Sequence, residues 1–194
     1  MKRKMKAMMG LAAALGVMAS GRAWAFNPSD TFTITLTPVG DRGVIITTTT
    51  IAMGSLSVGT TQYTGGAQGV VVTSTGSIAP LEYTMQASLL GGWSLSTDGY
   101  PDADDELAVQ ALFNASAPAL ADFEGSGIPV TKHLLTTSAG QVGDAAGKYE
   151  GNQDLDSLAL NISRNLWMQL KLPPTSTTDT EQTVTVTVTA ESYN

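Results

Sequence analysis

Two stretches near opposite ends of the chain alternate strictly between threonine and an apolar residue. Residues 31–37 read Thr-Phe-Thr-Ile-Thr-Leu-Thr, and residues 183–189 read Thr-Val-Thr-Val-Thr-Val-Thr. In an extended chain successive side chains point to opposite faces, so the apolar residues of each run share one face and the threonines share the other. Both stretches are therefore predicted to be β-strands with one buried face.

Eight further apolar stretches lie between these two runs. They cover residues 44–48, 51–58, 69–74, 81–87, 93–96, 107–113, 128–135 and 166–172, and Gly, Pro, Asp and Asn residues separate them. Helical periodicity is confined to a turn or two at 115–121 and 154–160. Strands that recur every ~8–12 residues are typical of an antiparallel sandwich or barrel. We therefore expect an all-β fold, an antiparallel β-sandwich of about eight to ten short strands.

The first 25 residues have the three parts of a bacterial secretory signal peptide. A basic start from Lys2 to Lys6 precedes an apolar stretch over 7–19 and the tripeptide Ala23-Trp24-Ala25, which has small residues at both ends. The apolar stretch is shorter than the ~20 residues that cross a bilayer. We therefore expect cleavage after Ala25 and one domain over 26–194 without a transmembrane segment. This domain is expected to be secreted to the periplasm, the cell surface or the medium.

The charge of the mature chain narrows the range of partners. Cleavage removes five of the ten Lys and Arg residues and none of the 17 carboxylates, which leaves a formal net charge of −12. Nucleic acids and anionic lipid headgroups require a basic surface, so neither is an expected partner. The chain contains no cysteine, so its stability must come from the hydrophobic core without disulfides.

Residues suited to catalysis are sparse. His133 is the only histidine, and the chain has neither a Gly-x-Ser-x-Gly elbow nor a Walker-type phosphate loop. Zinc sites draw on several His and Cys ligands, which this chain does not contain. We therefore expect a protein without enzymatic activity. Glycosidases stay open as a class because they need only two carboxylates; the candidates are Asp102, Asp104, Asp105, Glu106, Asp122 and Glu124.

The strongest local charge lies in the segment 98–106, which reads Asp-Gly-Tyr-Pro-Asp-Ala-Asp-Asp-Glu. Calcium takes about six to eight oxygen ligands, and alternating carboxylates and backbone carbonyls can supply them. The candidate ligands are Asp98, Asp102, Asp104, Asp105 and Glu106. The spacing differs from an EF-hand because Gly99 comes too early and no Glu follows at the twelfth position. Two interpretations remain for this segment: it binds calcium, or it is a solvated acidic loop. Calcium is the one cofactor that the sequence indicates.

Two tryptophans of the mature chain are candidates for ligand binding. Trp93 follows Gly91-Gly92, and alternation within 166–172 places Trp167 on the opposite face from its leucine neighbours, beside Gln169 and Lys171. An outward tryptophan can stack on a sugar ring or fill a pocket in a partner. Alternatively, a second sheet or a loop covers it, since large aromatic side chains are highly buried on average.

The region 53–84 carries a sequence of motifs that resembles a known type of domain. Residues 53–60 read Met-Gly-Ser-Leu-Ser-Val-Gly-Thr, 70–77 read Val-Val-Val-Thr-Ser-Thr-Gly-Ser, and 81–84 read Leu-Glu-Tyr-Thr. This order resembles immunoglobulin-like domains related to the major sperm protein and the ASPM-SPD2-Hydin families, although Ser74 replaces their usual Asn. The end of the chain is similar to secreted bacterial sandwich proteins. The resemblance implies an immunoglobulin-like β-sandwich that acts as a scaffold or interaction module, without catalytic residues.

Two roles from different classes are consistent with these features. The first is a structural subunit of a filament, surface layer or matrix, in which Phe26 to Thr37 pairs with the sheet of a neighbouring copy. Neither terminal run contains the charges or prolines that protect edge strands; their apolar residues are Phe32, Ile34 and Leu36, and Val184, Val186 and Val188. The second is a monomeric module that binds carbohydrate or another envelope protein through Trp93, Trp167 and the acidic segment. Both terminal strands can instead pair within their own sheet.

Overall fold

A computed structural model of the chain describes residues 40–64, 69–124, 127–143, 147–155 and 157–193. These residues belong to one compact unit, Val39–Asn194. The predicted signal peptide and the first alternating run, with Phe32, Ile34 and Leu36, lie outside the described residues.

Strands are the dominant regular structure of the described part of the chain, which has almost no helix, and this confirms the expected all-β class. The strands are β1 (Arg42–Ile46), β2 (Thr61–Tyr63), β3 (Val70–Gly76), β4 (Leu81–Leu90), β5 (Ser94–Leu95), β6 (Glu106–Phe113), β7 (Gly140–Gln141), β8 (Ser163–Lys171) and β9 (Thr183–Ser192). Within the described ranges, one short helix, α1 (Leu120–Phe123), and one 3-10 turn, Val130–Lys132, complete the elements. In the ranges that the structure describes, no helix is both long and apolar enough to span a bilayer.

The strands form two sheets. The larger sheet has the order β1-β3-β8-β6-β5, and β2 also pairs with β8. Because β2 lies opposite 169–171 and β3 opposite 163–166, these two strands follow one another along the same edge of β8. The smaller sheet has the order β7-β4-β9. All these pairings are antiparallel except β5 with β6, which run parallel.

The β4–β9 pair is the longest pairing in either sheet. Its ten-residue register runs from Leu81 opposite Ser192 to Leu90 opposite Thr183. The turn after β4 requires glycine, because Gly91 has a φ of 129° and an added Cβ would lie 2.5 Å from the carbonyl oxygen of Glu181. Gln182 stabilises this turn by donating from Nε2 to the Gly91 carbonyl at 2.9 Å. Local backbone geometry thus fixes the point at which β9 begins.

One hydrophobic core is shared by the two sheets. It contains fully buried residues of the larger sheet, such as Val72 and Ala111, and of the smaller sheet, such as Met85. The rings of Tyr83 on β4 and Phe113 on β6 stack with their centroids 6.3 Å apart, and this contact joins one sheet to the other. The alternation within β4 and β9 therefore serves to direct their apolar residues toward the larger sheet.

A second, smaller cluster covers the opposite face of the larger sheet. Phe123 of α1 packs against Leu112 of β6 and Trp167 of β8, and all three side chains are buried. The part of the chain that carries α1 and the 3-10 turn, which we call the covering segment, also includes Leu134, which forms an isolated bridge with Gln110. Strand β6 is consequently buried on both faces, with every residue from Leu107 to Phe113 buried. This explains why 107–113 is continuously apolar apart from Gln110.

Two expected strands are absent, and the prediction of each was wrong. Residues 51–58 form no strand, and the glycines within and just after this stretch, Gly54 and Gly59, have φ values of 70° and 69°, which an extended chain does not allow. Residues 128–135 form the 3-10 turn and the bridge of Leu134 instead. Conversely, β2 and β7 were not predicted, because two or three residues are too few to show an alternation.

Two leucines of β4 provide a matched test of the core. Leu81 is fully buried, whereas Leu90 is 76% exposed. We expect Leu81→Ala to lower the free energy of unfolding by ~2–5 kcal/mol, because it leaves a cavity between the sheets. The same truncation at Leu90 is expected to change it by less than ~0.5 kcal/mol. Urea unfolding followed by circular dichroism measures both, and equal effects would contradict the described core.

Candidate functional site

The first half of the acidic segment is stabilised by its own carboxylates. An Asp98 carboxylate oxygen accepts hydrogen bonds from the Ser96 hydroxyl and the Tyr100 N–H, each at 3.0 Å. The Tyr100 N–H is the main cause of the lowered pKa of Asp98. In the same way, one Glu106 oxygen accepts from the N–H groups of Asp102 and Ala103 at 3.0 and 3.2 Å. These bonds hold the segment in a series of tight turns.

The second half of the acidic segment is fastened to residues 175–177, between β8 and β9. The Asp105 carboxylate accepts hydrogen bonds from the N–H of Thr177 at 2.9 Å, from the hydroxyl of Ser176 at 2.7 Å and from the hydroxyl of Thr177. The Thr177 hydroxyl is the largest cause of the lowered pKa of Asp105. The Thr175 hydroxyl donates to Asp104. We call this set of contacts, between 104–105 and 175–177, the aspartate clasp.

Four of the five candidate calcium ligands already accept hydrogen bonds within the protein. Asp98, Asp104, Asp105 and Glu106 all accept hydrogen bonds from protein donors. Within the ranges that the structure describes, no group of three or more His, Cys, Asp or Glu side chains is arranged to hold a metal ion. Calcium binding by Asp98, Asp102, Asp104, Asp105 and Glu106 remains a prediction.

The two candidate tryptophans lie in different environments. Trp93 is half-buried against the main core, and its Nε1–H donates to the Ser176 hydroxyl at 3.0 Å, which places it beside the aspartate clasp. Trp167 points away from the main core, as its alternation predicts, but it is only 5% exposed. Its Nε1–H donates to the Asn114 carbonyl at 2.8 Å. The covering segment therefore occupies the face on which Trp167 could have met a sugar.

A buried lysine connects the covering segment to the acidic one. Lys171 of β8 is only 8% exposed, and its Nζ forms an ion pair with Glu124, directly after α1. The same Nζ donates to the Gly99 carbonyl at 3.2 Å and lies 5.1 Å from the centre of the Tyr100 ring. A buried ammonium needs such partners because burial removes its hydration. Glu124, one of the carboxylates considered for a glycosidase, thus has a structural contact.

The only histidine of the sequence borders a cavity of about 360 Å³, which is also lined by Asn114, Asp122, Lys132, Glu150 and Asn152. His133 is buried, and its Nδ1 has no hydrogen-bond partner among the described atoms. Burial, reinforced by the charge of neighbouring Lys132, lowers the pKa of His133 to about 4. The ring is therefore neutral at pH 7. This grouping was not predicted, because its members lie on separate irregular segments.

The outer edge of β9 is the longest open strand edge that the structure describes. Across the described ranges, β9 pairs with β4 alone, so its other edge has no strand partner. The four threonines from 183 to 189 are exposed, whereas Val184 and Val186 are half-buried and Val188 is buried. No charged residue or proline occurs from 183 to 190. Half of the backbone N–H and C=O groups of such an edge strand face outward. Strand β1 of the larger sheet lies close to β9 but forms no ladder with it.

The calcium hypothesis predicts a melting temperature that rises with millimolar calcium and falls again with chelator, because an ion that binds only the folded state stabilises it. Asp102→Asn is the informative variant, since no described hydrogen bond uses its carboxylate. It should abolish the response to calcium without changing the melting temperature in chelator. Differential scanning calorimetry measures both. If calcium changes neither protein, the acidic segment is a solvated loop.

His133 predicts a pH dependence of stability with a defined sign. The unfolded chain binds a proton near pH 6.5, while the folded chain binds one only near pH 4. The unfolded state therefore binds more protons in this window, and stability is full above pH 6.5 and falls as the pH drops toward 4. The loss is at most about 3 kcal/mol. His133→Gln should flatten this part of the profile in urea unfolding, and an unchanged slope would contradict the assignment.

Comparison with models of known protein families gives no match to this chain, and comparison with curated proteins gives none either. The immunoglobulin-like resemblance therefore rests on its quoted motifs. Of these motifs, 70–77 largely forms β3 and 81–84 begins β4, whereas 53–60 is irregular.

Proposed function

We propose that this chain is an exported, non-catalytic structural protein of the cell surface or extracellular matrix. Its domain is an immunoglobulin-like β-sandwich, and its copies associate by pairing strands, as subunits of a filament or surface layer do. Export is supported by the three-part signal sequence over 1–25. The observation that carries the proposal is the open edge of β9.

The other edges of the two sheets are much less suitable for pairing. In the described part of the chain, the larger sheet has edge strands at β1, β2 and β5, and the smaller sheet has one other at β7. Strands β5 and β7 each have two residues, β2 has three, and β1 has five and carries Arg42. Short edge strands and edge charges are the usual protection against pairing between molecules. The ten residues of β9 have neither form of protection before Glu191.

The placement of the candidate ligand-binding residues also supports a structural role. Trp167 is buried, the Trp93 ring is half-buried, and the carboxylate of Asp105 is engaged with 176–177. These groups connect segments of the fold to one another. A broad aromatic platform for sugars would need rings that lie open to solvent.

The second candidate function is a monomeric module that binds carbohydrate or another envelope protein. The cavity beside His133 supports it, because the amides of Asn114 and Asn152 and the carboxylates of Asp122 and Glu150 line the same space. Groups of this kind can form hydrogen bonds to hydroxyls. The two candidates differ in their prediction for self-association.

Light scattering and electron microscopy of the mature protein, from Phe26 onward, test the proposal. We expect mass to rise with concentration and polymers to form. Thr185→Lys combined with Thr187→Lys should reduce assembly, since lysines on an edge strand oppose pairing. The matched control is Gln86→Lys with Ser88→Lys, which adds the same charge on exposed positions of β4, one strand farther from the edge. A protein that stays monomeric at all concentrations would contradict the structural role and favour the binding module.

A further inference from the structure

The residue pattern of β9 is complementary to itself. If two β9 strands run antiparallel, residues that lie directly opposite share a face of the sheet. Centring the pair on Thr187 places Val186 opposite Val188 of the other copy and Val184 opposite its Ala190. On the exposed face, Thr185 lies opposite Thr189. Every apolar residue from 184 to 190 thus meets an apolar residue, and every threonine from 185 to 189 meets a threonine.

Charge is also compatible with this register. The only charged residue of β9 is Glu191. In the Thr187-centred register Glu191 lies opposite Thr183 of the second copy, so the two carboxylates are at opposite ends of the paired strands. Like charges directly opposite one another destabilise strand pairs, and this arrangement has none. Cross-strand Thr pairs and pairs of β-branched apolar residues are favourable.

Some core-facing side chains of β9 are only half-buried, and a strand paired with its open edge would bury them further. Val186 and Ala190 face the core but are only half-buried, although the residues opposite them on β4, Ala87 and Tyr83, are buried. Strand β4 has a hydrogen-bonded neighbour on each side, β7 and β9, whereas β9 has a described hydrogen-bonded neighbour on one side only, and β1 of the larger sheet lies close to it without pairing. A further strand along the open edge would bury the exposed parts of these side chains.

We propose that the open edge of β9 binds β9 of a second copy, antiparallel and centred on Thr187. The two three-stranded sheets then form one continuous sheet of order β7-β4-β9-β9-β4-β7. The contact is isologous, because the same edge is used by both copies, so by itself it closes as a dimer. Growth of such dimers into a filament or layer requires a second contact that does not use β9. This inference rests on the proposed self-association and specifies its partner surface. An edge-to-edge contact is narrow, so the dimer should be weak and concentration-dependent.

A single introduced cysteine tests this register directly, because the chain has none of its own. Opposite residues of antiparallel strands have Cα atoms ~4.5–5.5 Å apart, within the range that a disulfide spans. Thr187→Cys should therefore form a covalent dimer in a mild redox buffer. The control is Ser88→Cys, which is exposed on β4 one strand away. We expect at least a tenfold slower dimerisation for this control, and equal rates would contradict the proposal.

Substitutions of opposite charge at Thr187 distinguish a variant that cannot pair from a variant that cannot fold. Thr187→Lys and Thr187→Glu each place like charges opposite one another at the centre of the dimer, so each alone should be monomeric. An equimolar mixture should recover dimers, because every mixed pair brings Lys opposite Glu. Thr185→Lys faces Thr189 and should weaken the dimer less than Thr187→Lys. A mixture that stays monomeric overturns the register.

The competing occupant of the edge is the alternating run 31–37 of a neighbouring copy. Mixing Thr33→Cys with Thr187→Cys protein distinguishes it: mixed disulfides in preference to Thr187 homodimers would assign the edge to that run and overturn our proposal. If the protein self-associates but Thr187→Cys does not cross-link faster than Ser88→Cys, the β9 contact is wrong and the structural role stands. If no association occurs at any concentration, the structural role itself fails.

Discussion

Burial of the β6–β8 pair on both faces is the constraint on which the rest of the structure depends. One face closes the main core, and the other lies under the segment that carries Phe123. Polar side chains on that second face, such as Gln110 and Gln169, are fully buried beside one another on the two strands. Lys171, at the end of the same face, is satisfied only because Glu124 and the Gly99 carbonyl reach it. Covering this face thus positions both α1 and the acidic segment.

Most of the strands could be predicted from the sequence, because a strand with one buried face leaves a period of two in the residue pattern. Strands β4 and β9 show it over ten residues each. The pattern failed for 51–58 and 128–135, where apolar residues serve packing without extended backbone. The alternation correctly predicted the face of the sheet on which the Trp167 side chain lies, but it did not predict that this side chain is buried. Trp167 is buried because Phe123 packs against it. Phe123 is distant in sequence, and nothing in its local sequence predicts this contact.

The candidate site could be predicted only in part, for a similar reason. The acidic residues of 98–106 are evident from the sequence, but the hydroxyls of Ser176 and Thr177 that engage Asp105 lie far along the chain. The chemistry of β9 was equally evident, since its threonines and valines show a two-faced strand without charge before Glu191. The position of β9 at the edge of a sheet could not be predicted from the sequence. Whether a strand lies at an edge depends on which strands pair, and this is a property of the whole topology.

The aspartate clasp has a mechanical consequence for a protein that is held by its last strand. A pull along β9 loads its ten-residue ladder with β4 in shear, so many hydrogen bonds resist together instead of opening one after another. At the start of β9 the same load passes through 175–177 to Asp105, next to the first residue of β6. Tension applied at the edge of the smaller sheet is therefore shared with the doubly buried strand of the larger one.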